Sequence, residues 1–146
     1  CGLCFGVCAW LIYEKIAKFI DSQHILTLGV NGESGAYLCS CFYAFLKPNL
    51  IIVAFGDDSY HAKVIQNDSR VFINIALQTK IVGKIQGLEA SGFIYLVDNE
   101  VEKNAYISRF IYAKLMNLNL YKIELKWLKF TDNTLGFGKK IELNLA

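Results

Sequence analysis

Two neighbouring segments restrict the fold more than any other feature of the chain. Ser34 to Leu46 and Leu50 to Phe55 read as strands with apolar residues in both phases, joined by the turn Lys47-Pro48-Asn49. A strand that alternates apolar and polar residues keeps one face in water, whereas a strand apolar in both phases must be covered on both faces. A barrel interior covers one face, and another element or another subunit covers the second. The rest of the chain supplies more strands and short turns. Ile25 to Val30 reads as a strand, and Asn31-Gly32 offers the left-handed conformations of a tight hairpin. Arg70 to Leu77 is another strand. Ile81 to Val97 is two strands or one bent strand, with Gly83, Gly87 and Gly92 as bends or bulges. In Tyr121 to Phe130, Tyr121, Ile123, Leu125 and Trp127 alternate with Lys122, Glu124 and Lys126, the pattern of a half-buried strand. Trp127 and Leu128 break the alternation and predict a bulge.

Three segments read as helices. Ile12, Ile16, Phe19 and Ile20 recur at helical spacing opposite Glu14, Lys15, Lys18 and Asp21, in a first helix that ends near Ser22. Asp58 or Ser59 caps a short helix from Tyr60 to Asn67. Asp98-Asn99 starts the third, with Val101, Ala105, Ile107, Ile111 and Leu115 as its inner stripe and Glu102, Lys103, Arg109 and Lys114 outside. The order predicts a mainly β (α+β) fold, an antiparallel barrel with flanking helices. No G-x-G-x-x-G follows a strand and no G-K-[ST] occurs, so a dinucleotide fold and a P-loop have no support.

The chain has 146 residues, enough for one domain, which residues 12–146 supply. Residues 1–11 are an apolar, Cys-rich extension of the first helix. Hydrophobic residues make up 54% and charged residues 19%, an apolar excess over an ordinary domain that rules out disorder. The longest apolar run, Cys1 to Tyr13, ends at Glu14-Lys15, short of the ~20 residues of a spanning helix. A soluble homodimer with a second buried apolar surface therefore explains the excess, with no membrane partner. The net charge of +2 is too balanced for a nucleic-acid binder. Cys1, Cys4 and Cys8 could ligate a metal or iron–sulfur cluster, or Cys1 could carry a lipid, but a fourth ligand and a polar tether are both missing. An extension with no chemistry is the simpler reading. Cys39 and Cys41 share one strand face, and reduced thiols in a cytoplasmic protein fit them best.

Only two histidines are present. His24, at the end of the first helix, can interact with the last carbonyls there. His61 stands in Asp58-Ser59-Tyr60-His61-Ala62-Lys63, where a strand hands over to a helix. Free amides at that handover favour an anion, Ser59 adds a hydroxyl, and Lys63 and His61 can add charge. A plain helix cap with a solvated histidine explains the same residues. Asp58, Ser59 and His61 cannot form a catalytic triad, because triads converge from separate elements. The tail Phe130-Thr131-Asp132-Asn133-Thr134-Leu135-Gly136-Phe137-Gly138-Lys139-Lys140 is either an anion-cradling loop or a turn before a short edge strand, and its composition favours the turn.

The run from Phe55 to Val71 resembles the strand–phosphate turn–helix–strand signature of the pyridoxamine-phosphate-oxidase-like split barrels, and the tail from Phe130 to Lys140 is closely similar to that of their YhbP-like branch. As a whole the resemblance covers roughly residues 12 to 143 and leaves the Cys-rich start unmatched. The resemblance implies a homodimeric split β-barrel binding FMN at the subunit seam. The family's phosphate-binding Ser-Arg-Lys falls on Ser59, Tyr60 and His61, and Val53, Ala54 and Phe55 would follow the flavin ring. Gln86 and Trp127 would reach the site from the partner. Tyr60 and His61 replace the usual basic pair, for which Lys63, Lys139 and Lys140 are the compensating cations. The implied activity is a flavin-dependent oxidoreductase or reductase acting on a small molecule. Haem, with His24 or His61 as ligand, and a cofactor-less ligand-binding dimer are the alternatives.

Overall fold

A computed structural model of the chain describes residues 2–116 and 118–145, with side chains described from Cys8 onward. Helix α1, Gly2–Ser22, leads into seven strands: β1 Ile25–Gly32, β2 Gly35–Leu46, β3 Leu50–Phe55, β4 Arg70–Ala76, β5 Gln86–Leu96, β6 Asn119–Asp132 and β7 Lys140–Asn144. Helix α2, Tyr60–Val64, lies between β3 and β4, and α3, Glu100–Arg109, between β5 and β6. The strands pair antiparallel in the order β3-β2-β1-β4-β5-β6, and a β3–β6 ladder closes the six into a barrel. β7 is an extra strand on the edge of β6, as the composition of the tail predicts. No helix among the described residues is long and apolar enough to cross a membrane.

Of the two strands apolar in both phases, β3 is covered on both faces as expected, whereas β2 is covered only toward its end and leaves Tyr37, Leu38 and Phe42 exposed. Ile51, Val53 and Phe55 of β3 enter the barrel core, which α1 completes with Ile16, Phe19 and Ile20. On the outside, Ile52 of β3 and Ala44 of β2 pack against Tyr106, Phe110 and Ala113, so part of the outer cover is α3 and the turn after it.

Several local expectations give way to packing. The β1–β2 turn is Glu33-Ser34, with Gly32 opposite Gly35, and the positive φ falls on Gly35 instead of on Asn31 or Gly32. The second helix stops at Val64, three residues before Asn67. A 3-10 turn at Val82–Lys84 precedes one continuous β5. The predicted bulge exists, opposite Ser91 and Gly92: Ser91 faces Trp127 and Gly92 faces Leu125, which leaves Lys126 unpaired. The extra residue shifts the phase, so Leu128 and Phe130 turn inward and Trp127 turns out, contrary to its predicted place in the inner set. The third helix stops at Arg109, before Ile111 and Leu115, and buries a different face from the one its apolar residues predict, although Ile107 still packs against the buried cluster. Glu102 and Tyr106 are buried, while Val101 is 68% and Leu115 90% exposed. Glu102 can turn inward because its Oε1 accepts from Lys122 Nζ at 3.0 Å and from Asn99 Nδ2 at 2.7 Å.

Candidate functional site

The chain concentrates its unusual geometry where β3 ends. The ladder from β3 to β2 stops at Val53–Tyr43, whereas the ladder from β3 to β6 continues to Phe55–Asn119. The barrel wall therefore parts beside Ala54 and Phe55, while the other half of β2 follows β1 alone. Gly56 to Ser59 then turns the chain into α2. Ser59 is its N-cap: the hydroxyl accepts from the Ala62 amide at 3.3 Å and donates to the Gly56 carbonyl at 2.8 Å. The amides of Tyr60 and His61 precede the first helical bond and have no intrahelical partner.

Aromatic rings line the parted wall. His61 lies edge-on to Phe55, with centroids 4.4 Å apart, and Tyr37 of β2 lies 6.3 Å beyond it. Tyr37 also meets Tyr60 at 4.8 Å, and Phe55 stacks on Tyr121 at 4.3 Å. Both ring nitrogens of His61 are buried without a partner. Desolvation holds its pKa below the ordinary 6.5, so the ring is neutral near pH 7 and is no source of positive charge. Lys63, one residue past Ala62, remains exposed. Cys39 and Cys41 are free thiols on the inner face of β2; their mutual hydrogen bond raises Cys41, with burial adding to it, and lowers Cys39.

Of the predicted site residues, the structure brings together Val53, Ala54, Phe55, Ser59, Tyr60, His61 and Lys63. Val53 and Phe55 point into the core, and Ala54 lies against the α3 cluster. Gln86, Lys139 and Lys140 lie at the other end of β6. Asn119, at one end, is bonded to Asp57, and Thr131, near the other, pairs with Lys140. Gln86 donates to Asp132 at 3.1 Å. Trp127 is outside the barrel, donating to Glu142 at 2.7 Å. Within one chain these four residues cannot join the Ser59 corner. Tyr37 and Tyr121 belong to the corner without having been singled out, since only the pairing of β2 and β6 with their neighbours brings them there.

His24 does not cap α1. Arg109 does so from the end of α3: its Nη2 donates to the carbonyls of Asp21 at 3.1 Å and Gln23 at 2.5 Å, and lies 2.7 Å from His24 Nδ1. Among the described residues no cluster of His, Cys, Asp and Glu could hold a metal. Cys1 lies outside the described residues, as does the side chain of Cys4.

The barrel is shared with solved structures at low identity. A Clostridium acetobutylicum protein related to general stress protein 26, of the pyridoxinephosphate oxidase family, superposes with TM-score 0.70 at 13% identity, over 91% of this chain and 94% of its own. A FAD-binding protein of Mesorhizobium loti gives TM-score 0.63 at 8% identity, over 78% of this chain and 87% of its own. A heme binding protein of Mycobacterium smegmatis gives TM-score 0.71 at 14% identity over 84% of this chain, which spans 53% of that protein. The fold is thus the split barrel of the pyridoxamine phosphate oxidase kind. No family model matches the chain. In sequence, a UPF0306 protein of Campylobacter jejuni is 37% identical over 131 residues, which cover 88% of this chain and 96% of the relative. That likeness runs nearly end to end in both proteins, and the chain belongs to the UPF0306 family.

Proposed function

We propose that this protein is a homodimeric FMN-binding split barrel that serves as a flavin-dependent oxidoreductase or reductase of a small molecule. The observation that carries the reading is the parting of β3 from β2 past Val53, directly beside the capped Ser59 turn. An elongated ligand can lie along the edge of Ala54 and Phe55 that β2 leaves unpaired, with an anionic end at the turn. The unpartnered nitrogens of His61 are a second mark of fit, because a buried polar group without a partner is costly and an acceptor on a ligand would satisfy it. The amides of Tyr60 and His61 and the exposed Lys63 would hold the phosphate, with Ser59 fixing the turn through its own cap. When bound, the flavin supplies the electron-transfer chemistry, and the chain supplies position and exclusion of water.

The outer face of β1, β2 and β4 favours a dimer. Ile25, Leu38, Phe42 and Phe72 are all between 46% and 66% exposed there. They form two apolar pairs on one sheet face, Ile25 with Phe42 and Leu38 with Phe72 across Gly29, on either side of Thr27, and exposed apolar surface of this kind marks an interface.

Titration of the purified protein with FMN, followed by quenching of flavin fluorescence, tests the reading. Saturable binding at one flavin per chain is expected, with Lys63→Ala weakening it about tenfold through loss of a charged contact. Absence of quenching with excess FMN would refute it. A Soret shift on adding haem instead would favour the haem alternative.

A further inference from the structure

The loop from Asp132 to Lys140 is braced to an unusual degree for a surface turn. Asp132 is buried, and its carboxylate accepts from the Thr134 amide and hydroxyl at 2.9 and 2.6 Å and from Gln86. Burial works against that carboxylate, yet these bonds and the nearby Lys15 hold its pKa below the ordinary carboxylate value. Asn133 donates to the Val82 carbonyl at 2.8 Å and accepts from the Gly138 amide at 3.0 Å. Gly136 and Gly138 both take positive φ, +139° and +70°, conformations that favour glycine. All of this bracing presents one side chain, Phe137, which is 86% exposed between the two glycines. A loop held this rigidly around an exposed aromatic has the form of a preorganised anchor, since little conformational entropy remains to be lost when it docks.

Charge indicates what the anchor meets. The end of the barrel that carries Phe137 also carries exposed Lys80, Lys84, Lys139 and Lys140 and the apolar Ile81, Val82 and Leu135, and none of the four lysines is in an ion pair among the described residues. The opposite end of the barrel carries Glu33, Asp57, Asp58 and Asp68, all exposed, against Lys63 and Arg70. That acidic end also holds two shallow recesses flanking the Tyr60 ring. One, of about 310 Å³, lies among Asn31, Glu33 and Lys63; the other, of about 250 Å³, lies among Ser34, Ala36 and Tyr37. The apolar outer sheet face runs between the two ends. Two copies stacked on that face about a two-fold axis perpendicular to the strands bring each basic end against the other's acidic end.

We infer that the occupant is a second copy of this chain: Phe137 of one protomer seats beside Tyr60 of its partner, and the braced loop closes the Ser59 corner from across the two-fold. The inference rests on the dimer reading above and adds to it the surface used and the residue that reaches the partner's corner. It also explains how Lys139 and Lys140, remote from Ser59 within one chain, come near an anion held there.

The full chain carrying Phe137→p-benzoylphenylalanine, irradiated as the purified protein, tests this directly, with mass by light scattering measured alongside. A covalent dimer whose joined peptide maps to residues 31–37 or 60–67 is expected. A dimer by light scattering that cross-links elsewhere overturns the docking while leaving the dimer intact. A monomer overturns both. As a second measurement, Lys139→Glu with Lys140→Glu should weaken dimerisation roughly tenfold at low salt, and adding Glu33→Lys with Asp58→Lys should restore it. Failure of the four-fold variant to recover, in protein that remains folded, overturns the proposed pairing of ends.

Discussion

At the scale of the residue, His61 shows how much the surroundings decide. Its place just inside the helix that follows Ser59 is legible locally, because the strand run ends at Gly56 and Ser59 is a strong cap. Its state is not legible, because Phe55 and Tyr37, which desolvate it, come from the preceding strand and from β2. The pKa of folded His61 lies below the unfolded value near 6.5. Above that value both states are neutral and the ring imposes no penalty. As pH falls below it, the unfolded chain takes up the proton first, so stability declines until the folded pKa is passed. Urea unfolding between pH 7.5 and 5 should show that decline, and His61→Phe should flatten it. A slope unchanged in the variant would assign the titration to another group.

Among the elements, β6 is the most instructive. Its alternation announces a half-buried strand, and the clash of Trp127 with Leu128 announces a bulge, because the period of two is enforced wherever one face is buried. Which residues turn inward beyond the bulge, Trp127 or Leu128 and Phe130, depends on the partner strand. Gly92 of β5 makes the bulge feasible: a Cβ there would stand 2.1 Å from the Glu124 carbonyl oxygen, backbone that has nowhere to move. Gly92→Ala should therefore cost about 3 kcal/mol, as backbone crowding in a packed core does, and a urea midpoint would read it. A loss below 0.5 kcal/mol would show that the two strands can slide apart at the bulge. Helix α3 teaches the converse. Its sequence carries two competing stripes, and the choice falls to Tyr106 and Phe110, with the buried Glu102 paired to Lys122 of β6. An ion pair between residues twenty positions apart leaves no periodic trace.

For the whole molecule, the question is where the apolar excess goes. The barrel core and the α3 cluster absorb most of it, but Ile25, Leu38, Phe42 and Phe72 remain on one open sheet face. Leu38→Asp with Phe72→Asp should convert a dimer to a monomer in light scattering and lower flavin affinity with it, since a seam site loses one of its walls. A dimer that survives both charges would place the interface on another surface, such as the exposed Leu96, Val101 and Leu115 beside α3.

Sequence alone was enough to predict the antiparallel barrel, the three helices and most of the strands between them, a capped turn at Asp58 or Ser59, and a bulge within one residue of its place. Each of these is written in spacing that a few neighbouring residues control: two-residue alternation, helical recurrence, or a cap before an apolar run. Only the tertiary structure decided which face α3 buries, where Trp127 points, that His61 is neutral, and that Lys139 and Lys140 stand a full strand length from Ser59. Those outcomes depend on contacts between residues far apart in the chain, where burial and pairing outweigh local preference and leave no period to read.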